Sequence, residues 1–269
     1  MNQALLETQQ AFDSVASAYD DSHADNVLIH ALRQRMRAAV VDRLPPGSRL
    51  LDLGCGPGRD AVWFARRGYR IVAIDWSPEM VRQAEQRVSD AGVSAAVDVR
   101  HCGIQDVDVM ASIPFDAAYA DLGPLNCVPD LAAVTTRIGA CLRPGGVLVA
   151  SVMTRVCPWE IILHLTRGDS ARARVRFAHR AVGVRLGDGT AWTRYYTPRE
   201  FERPFLTAGF TRESLRSLHL LVPPPYCHRF AARHPRVISV LQRADDVVGW
   251  WPGLRTMGDH FLIVLAKPS

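Results

Sequence analysis

Residues 50–59 read LLDLGCGPGR, and this decapeptide constrains the chain more than any other stretch. An apolar run ends in Asp52. Gly54, Gly56 and Gly58 follow at alternate positions, and the next residues, AVWFARRG, have helical spacing. The segment therefore reads as a strand, a tight turn and a helix start. Glycine is needed where the backbone takes positive φ, or where a ligand must approach without a Cβ in the way. A helix N-terminus behind such a turn offers free N–H groups to that ligand. A lone GxGxxG is weak support for a dinucleotide site, and the spacing here is GxGxG. A second apolar run, Tyr69–Ile74, ends in Asp75. An acid about 20 positions past the glycine turn is placed to bind ribose hydroxyls. Trp76-Ser77-Pro78-Glu79-Met80 comes next, with Ser77 as N-cap and Pro78 as first helical residue.

The rest of the chain repeats the alternation. Strands are predicted at about 49–53, 70–75, 95–100, 115–120 and 147–153, with helices at about 60–67, 78–91 and 129–142 between them. Two helices precede them, at about 4–18 and 27–44, the second stopped by Pro45-Pro46-Gly47. Strand–helix alternation implies right-handed crossovers and a parallel sheet. After Met153 the pattern loosens. Residues 180–197 read as a hairpin around Gly187-Asp188-Gly189, and Thr197-Pro198 opens another helix. A strand at about 211–221 is followed by Pro223-Pro224-Pro225, a helix at about 235–248, and a last strand at 261–266. The expected organisation is one domain over 1–269. It comprises a helical cap (1–44), a core (45–153) and two insertions (154–196 and 222–259).

These motifs resemble the class I S-adenosylmethionine (SAM)-dependent methyltransferases, in their small-molecule branch. LDLGCGPG is similar to the family's first motif, and Asp75 with Ser77-Pro78-Glu79-Met80 to its second. FDAAYADLGPLNCV (115–128) resembles the fourth strand and its loop, and LRPGGVLVASVM (142–153) the fifth strand. AFDSVASAYDD (11–21) resembles the cap segment. The resemblance covers about residues 10–153 and returns at 195–210 and 260–268. It implies an α/β Rossmann-like sheet of seven strands, mostly parallel, with helices on both faces. Its last strand is antiparallel and lies between strands five and six.

By the same resemblance, Gly54, Cys55, Gly56 and Gly58 belong to the turn that receives SAM, and Asp52 orients that turn and the cofactor's amino group. Asp75 takes the ribose hydroxyls. Trp76 and Met80 flank the adenine, and Gly103 and Ile104 lie beside it. Asp121 and Leu122 approach the sulfonium, and Tyr19 closes over the cofactor. Ile104 stands where the family often has an acid for the adenine amino group, so Gln105, Asp106 or a backbone carbonyl takes that contact.

Methyl transfer from SAM to a small-molecule acceptor is the expected activity: O- or N-methylation of a specialised metabolite or another apolar or aromatic compound. The resemblance implies a substrate lid at the insertions 154–196 and 222–259, whose aromatic residues (Trp159, Trp192, Tyr195, Tyr196, Tyr226, Trp250 and Trp251) suit such an acceptor. An amine needs little besides alignment, whereas a high-pKa hydroxyl needs a base. Asn126, His164 and His179 are the catalytic candidates, with His228 a further histidine in the second insertion. The alternatives are a SAM-binding regulator without catalysis, and a nicotinamide-dependent Rossmann reductase. The GxGxG spacing and the absence of a YxxxK pair weigh against the reductase.

Bulk properties narrow the partners. A chain of 269 residues with 48% hydrophobic and 22% charged residues is ordinary for a globular enzyme. No apolar stretch has the length of a membrane span, and MNQALLETQQ lacks the features of a signal peptide. A cytoplasmic monomer or homodimer is expected. Net charge is +5, with every basic residue but Lys267 an arginine. The only dense basic cluster is Arg172, Arg174, Arg176 and Arg180, either a solvated face or an anion site, so no nucleic-acid partner is expected. Six cysteines form no CxxC pair, and no metal is expected. Cys55, Cys102, Cys127 and Cys157 each follow a strand end, and a thiophilic metalloid substrate is a minor alternative.

Overall fold

Alternating apolar runs and capped helices build a sheet covered on both faces. The structure, a computed structural model, describes residues 3–24 and 26–269, the side chains of 20–24 excepted. Of the expected cap, residues 1, 2 and 25 lie outside the described residues. Two helices lead, α1 (Gln3–Ala24) and α2 (Val27–Val41). The Rossmann-like half follows as β1 (Arg49–Leu53), α3 (Arg59–Ala65), β2 (Arg70–Asp75), α4 (Pro78–Asp90), β3 (Val97–His101), β4 (Phe115–Ala120), α5 (Leu131–Cys141) and β5 (Leu142–Met153). Then come α6 (Pro158–Thr166), α7 (Ser170–Ala173), the hairpin β6 (Val182–Leu186) and β7 (Gly189–Thr193), α8 (Pro198–Thr207) and β8 (Thr211–Leu218). The chain ends in α9 (His228–Arg233), α10 (Pro235–Val248) and β9 (His260–Ala266).

The main sheet has the order β3-β2-β1-β4-β5-β9-β8. Its first five strands are parallel, and β9 is antiparallel to both β5 and β8. The late strand thus slots between the fifth and the penultimate one, as the resemblance implied. Parallel strands buried on both faces need near-continuous apolar sequence, which IVAI in β2 and VLVASV in β5 supply. One face is covered by α5 and α8, with Leu51, Ile74, Ile138 and Phe205 in its core. The other is covered by α2 and α3, through Met36, Leu50, Phe64 and Ala73.

Local chemistry sets the helix ends. Ser77 accepts from Met80 N at the start of α4, with Pro78 in its first turn. Thr197 and Glu200 form a capping box for α8. Asp130 caps α5 by accepting from Ala133 N, which starts that helix at Leu131. β5 starts at Leu142, ahead of the expected strand, because Leu142 pairs with Phe115 before the Pro144-Gly145-Gly146 turn.

The two insertions part company. The β6–β7 hairpin lies against α1: Trp192 Nε1 donates to Glu7 Oε2 at 2.6 Å, and Trp192 N donates to Thr8 Oγ1 at 2.9 Å. The second insertion instead packs on α2, where Ala231 and Ile238 meet Leu28 and Val222. None of residues 222–259 lines the cavity described below.

Candidate active site

In an open α/β sheet, ligands bind outside the carboxyl ends of the strands. The loops after β1, β2 and β4 here surround a cavity of about 330 Å³, roofed by α1, α2 and the β6–β7 hairpin.

The loop after β1 is held by its own backbone. Gly54 N and Cys55 N both donate to Ile74 O at 2.9 Å. Gly54 has φ +73°, and a Cβ there would lie 2.6 Å from Pro124 Cβ, so only glycine fits between the two loops. Gly56 has φ +51° and nothing within 4 Å of where its Cβ would point. It is the position at which a ligand can lie against bare backbone. Gly58 has another task. It caps α3 at φ +76°, and a Cβ would come within 3.0 Å of Ala84 on α4, so it sets helix packing and does not line the cavity.

Asp75 ends β2 and ties the loops together. Its Oδ2 accepts from Gly56 N at 2.8 Å and its Oδ1 from Ser77 N at 2.9 Å. Burial raises its pKa, and the backbone donors oppose that rise. Trp76 stacks on His101 with ring centroids 5.7 Å apart, and its carbonyl accepts from Gln9 Nε2 of α1 at 2.8 Å. Met80 is buried beside it. Ile104 and Gln105 line the same wall, whereas Gly103 and Asp106 do not. Of the candidates for the adenine amino group, Gln105 is the side chain present.

After β4 the backbone is strained. Leu122 takes φ +61°, rare for a residue with a branched side chain. Two acceptors fix it: Leu122 N donates to Asp121 Oδ1 and to Ser151 Oγ, each at 2.7 Å. Ser151 Oγ also donates to Asp121 Oδ1 at 2.8 Å. Asp121 Oδ2 receives one bond, from Tyr119 OH at 3.3 Å.

The cavity wall is acidic. Asp52, Asp60, Asp75 and Asp121 line it, with Arg33 and Arg185 as its only cations among the described residues. Asp60 is consumed by Arg33 and by Arg37, the latter at 2.6 Å. Asp52 is 4% exposed, and its Oδ2 has no hydrogen-bond partner. Burial, reinforced by Asp60, raises its pKa well above the usual carboxylate range. An orphaned buried carboxylate oxygen in an acidic cavity calls for a cationic donor. The amino group and sulfonium of SAM supply such charges, so the residues present fit that group. Tyr19 lies among these side chains, its hydroxyl influenced by Arg33, Asp75, Cys127 and Asp121.

The catalytic candidates do not come together. Asn126 is 1% exposed and its amide makes three bonds: Nδ2 donates to Met153 O at 3.1 Å and Arg194 O at 2.7 Å, and Oδ1 accepts from Met153 N at 2.9 Å. It braces two loops, and both of its N–H donors are spent within the protein. His164 sits on α6, away from the cavity, and His179 is 82% exposed, 2.9 Å from Arg155 Nη1. His228 is on the surface of α9. The insertion aromatics also leave the cavity. Trp192 binds Glu7, Trp159 Nε1 donates to Leu221 O, and Tyr226, Trp250 and Trp251 are exposed. Of the arginine cluster, Arg176 is buried against Asp259 and over Tyr195, while Arg172, Arg174 and Arg180 are solvated. Cys55 and Cys127 line the cavity and Cys102 and Cys157 do not, so the four thiols do not converge.

Sequence reasoning passed over Arg33, Asp60 and Gln9. Arg33 and Arg37 stand four apart on one face of α2, a legible stripe. Its target at the start of α3 is set only by the tertiary fold.

Comparison with known proteins agrees with this geometry. The family model described as "Methyltransferase domain" matches residues 50–146. The ubiquinone biosynthesis O-methyltransferase of Xylella fastidiosa is 34% identical over 145 residues, 54% of this chain and 58% of that protein. The chain thus spans somewhat over half the length of the curated relatives it matches. Among solved structures, a SAM-dependent methyltransferase from Mesorhizobium loti superposes with TM-score 0.58 at 19% identity, covering 88% of this chain and 98% of the other. The 1,6-didemethyltoxoflavin-N1-methyltransferase of Burkholderia thailandensis, solved with S-adenosylhomocysteine, gives TM-score 0.59 at 19% identity, covering 99% and 88%. The chain has the fold of the class I methyltransferases. Residues 50–146 carry the match to a methyltransferase domain, and the solved proteins that share this fold include one with S-adenosylhomocysteine bound.

Proposed function

We propose that this chain transfers a methyl group from SAM to a small-molecule acceptor. The observation that carries the reading is the unpartnered Asp52 Oδ2 in the same cavity as Asp75 and the open Gly56 backbone. In this reading Asp52 takes the amino group and Arg33 the carboxylate of the methionine part. Asp75 takes the ribose hydroxyls, and Trp76, Met80, Ile104 and Gln105 enclose the adenine. Tyr19 and α1 close over the top. When bound, SAM supplies a methyl group on a sulfonium, whose leaving group needs no activation.

The protein's own task is alignment and exclusion of water. Leu5, Phe12, Val128, Met153, Val184 and Leu186 give the remaining wall an apolar lining, which supports an apolar or aromatic acceptor. The relatives named as ubiquinone biosynthesis O-methyltransferases support oxygen as the methylated atom. For a hydroxyl acceptor, Asp121 Oδ2 is the carboxylate oxygen with room to accept a proton. Burial, with Asp60 adding, raises its pKa toward that task. Unpaired cysteines support a reducing, cytoplasmic setting. No described helix is long and apolar enough to cross a membrane.

The test is to incubate the purified chain with methyl-labelled SAM and a cytosolic metabolite extract. Label in a small organic-soluble compound is the expected result and identifies the acceptor. SAM bound with no label transferred would favour the regulator.

A further inference from the structure

Away from the cavity, one surface carries apolar side chains that the fold does not cover. None of the residues of α6, PWEIILHLT, is buried. Ile162 and Leu165, three apart and so on one side of the helix, are 60% and 55% exposed. The segment leading into α9 adjoins it. Trp159 Nε1 of α6 donates to Leu221 O at 2.7 Å, and the thiol of Cys227 lies within reach of the charge of Arg167, at the end of α6. Arg229, Phe230 and Arg233 share one stripe of α9, and Tyr226 lies in the single 3₁₀ turn (Pro225–Cys227) just before the helix. Tyr226 is 50% and Phe230 43% exposed, while Ala231, off that stripe, is buried on α2.

The unpaired charges around this surface have one sign. Arg167, Arg229 and Arg233 are exposed and form no ion pair with any described carboxylate. The nearby acids are already taken: Glu160 pairs with Arg176, and Asp169 caps α7 through Arg172 N and lies 3.4 Å from Arg172 Nε. Aliphatic and aromatic tips standing in water between unpaired arginines have the composition of a segment that lies in a lipid interface. We propose that the α6–α9 face docks on an anionic bilayer surface. The negative charge of a cytoplasmic leaflet matches the unpaired arginines, and α6 starts shortly after Met153, on the cavity's apolar wall. Docking would bring a lipid-dissolved acceptor to that side of the cavity. The surface itself is independent of what the cavity holds.

The test is sedimentation of the full chain with phosphatidylcholine vesicles, with and without phosphatidylglycerol, at two salt concentrations. Wild type is expected to co-sediment only with the anionic vesicles, less so at high salt. Each arginine near the surface contributes about five-fold (about 1 kcal/mol). R229A/R233A should therefore partition roughly 25-fold more weakly. I162E/L165E should also lose binding while keeping the wild-type circular dichroism spectrum, since both side chains are exposed. Absence of co-sedimentation, or equal partition of wild type and both double variants, overturns the proposal. So does salt-sensitive binding that I162E/L165E leaves intact. Self-association that I162E/L165E abolishes, without vesicle binding, would reassign the face to a protein interface and overturn it as well.

Discussion

Asn126 separates a structural brace from a catalytic amide. Its side chain satisfies Met153 N, Met153 O and Arg194 O in an environment closed to water. Asn126→Ala leaves Met153 N without a partner and takes one bond from each carbonyl. A buried group left unsatisfied costs about 1–3 kcal/mol. With about 2 kcal/mol for the N–H and about 1 for each carbonyl, the loss is roughly 4 kcal/mol, a large share of a typical stability. At about 2–4 °C per kcal/mol for a chain of this size, the melting temperature should fall by roughly 10 °C. Asn126→Asp should do no better, because its second oxygen would face two carbonyl oxygens. Urea denaturation followed by tryptophan fluorescence measures the loss, and SAM titration at low temperature measures the cofactor site. Stability within about 0.5 kcal/mol of wild type together with lost turnover would refute the brace and restore Asn126 as a substrate ligand.

Gly56→Ala keeps its Cβ clear of protein atoms but holds φ +51°. It should cost about 1–2 kcal/mol of stability and weaken SAM binding at least ten-fold, both readable by thermal shift with and without SAM. His219 is fully buried, has φ +55°, and has no partner for either ring nitrogen. Burial pushes its pKa down to about 3. The unfolded chain, with an ordinary value near 6.5, therefore binds a proton that the folded chain refuses. Stability from this group is full above about pH 6.5 and falls as pH drops toward 3, by about 2 kcal/mol at pH 5. His219→Asn should flatten that part of the stability profile, and an unchanged slope between pH 5 and 7 would count against the assignment. Trp192→Phe removes the bond to Glu7 Oε2 and should loosen the hairpin from α1. Faster proteolytic nicking between 180 and 197, slowed by added SAM, is the expected result.

Elements whose chemistry is local were legible in the sequence. The glycine turn, the Ser77-Pro78 start of α4 and the hairpin at Gly187-Asp188-Gly189 each follow from backbone requirements within a few residues. So does the placement of Asp52 and Asp75 at strand ends on one cavity. What the sequence left unread depends on which distant surfaces meet. The second insertion has a lid-like composition, yet Ala231 and Ile238 match α2 and carry it away from the cavity. Asn126 and the histidines have the residue types of a catalytic site, and only the positions of Met153 and Arg194 reveal the amide as a brace. Arg33 and Asp60 are the converse case: unremarkable in their own segments, they meet across the cavity once α2 lies on α3.

The most direct test of the cofactor site is isothermal titration of the full chain with S-adenosylhomocysteine, wild type beside Asp75→Ala. Each hydrogen bond to a charged group is worth about 1.5–3 kcal/mol. Losing the carboxylate that holds Gly56 N and Ser77 N, and to which the ribose hydroxyls are assigned in the proposed reading, should weaken binding at least 100-fold. One-site binding by wild type, with that loss in the variant, is the predicted result. No binding by wild type, or equal affinity in both, would contradict the assignment of this cavity.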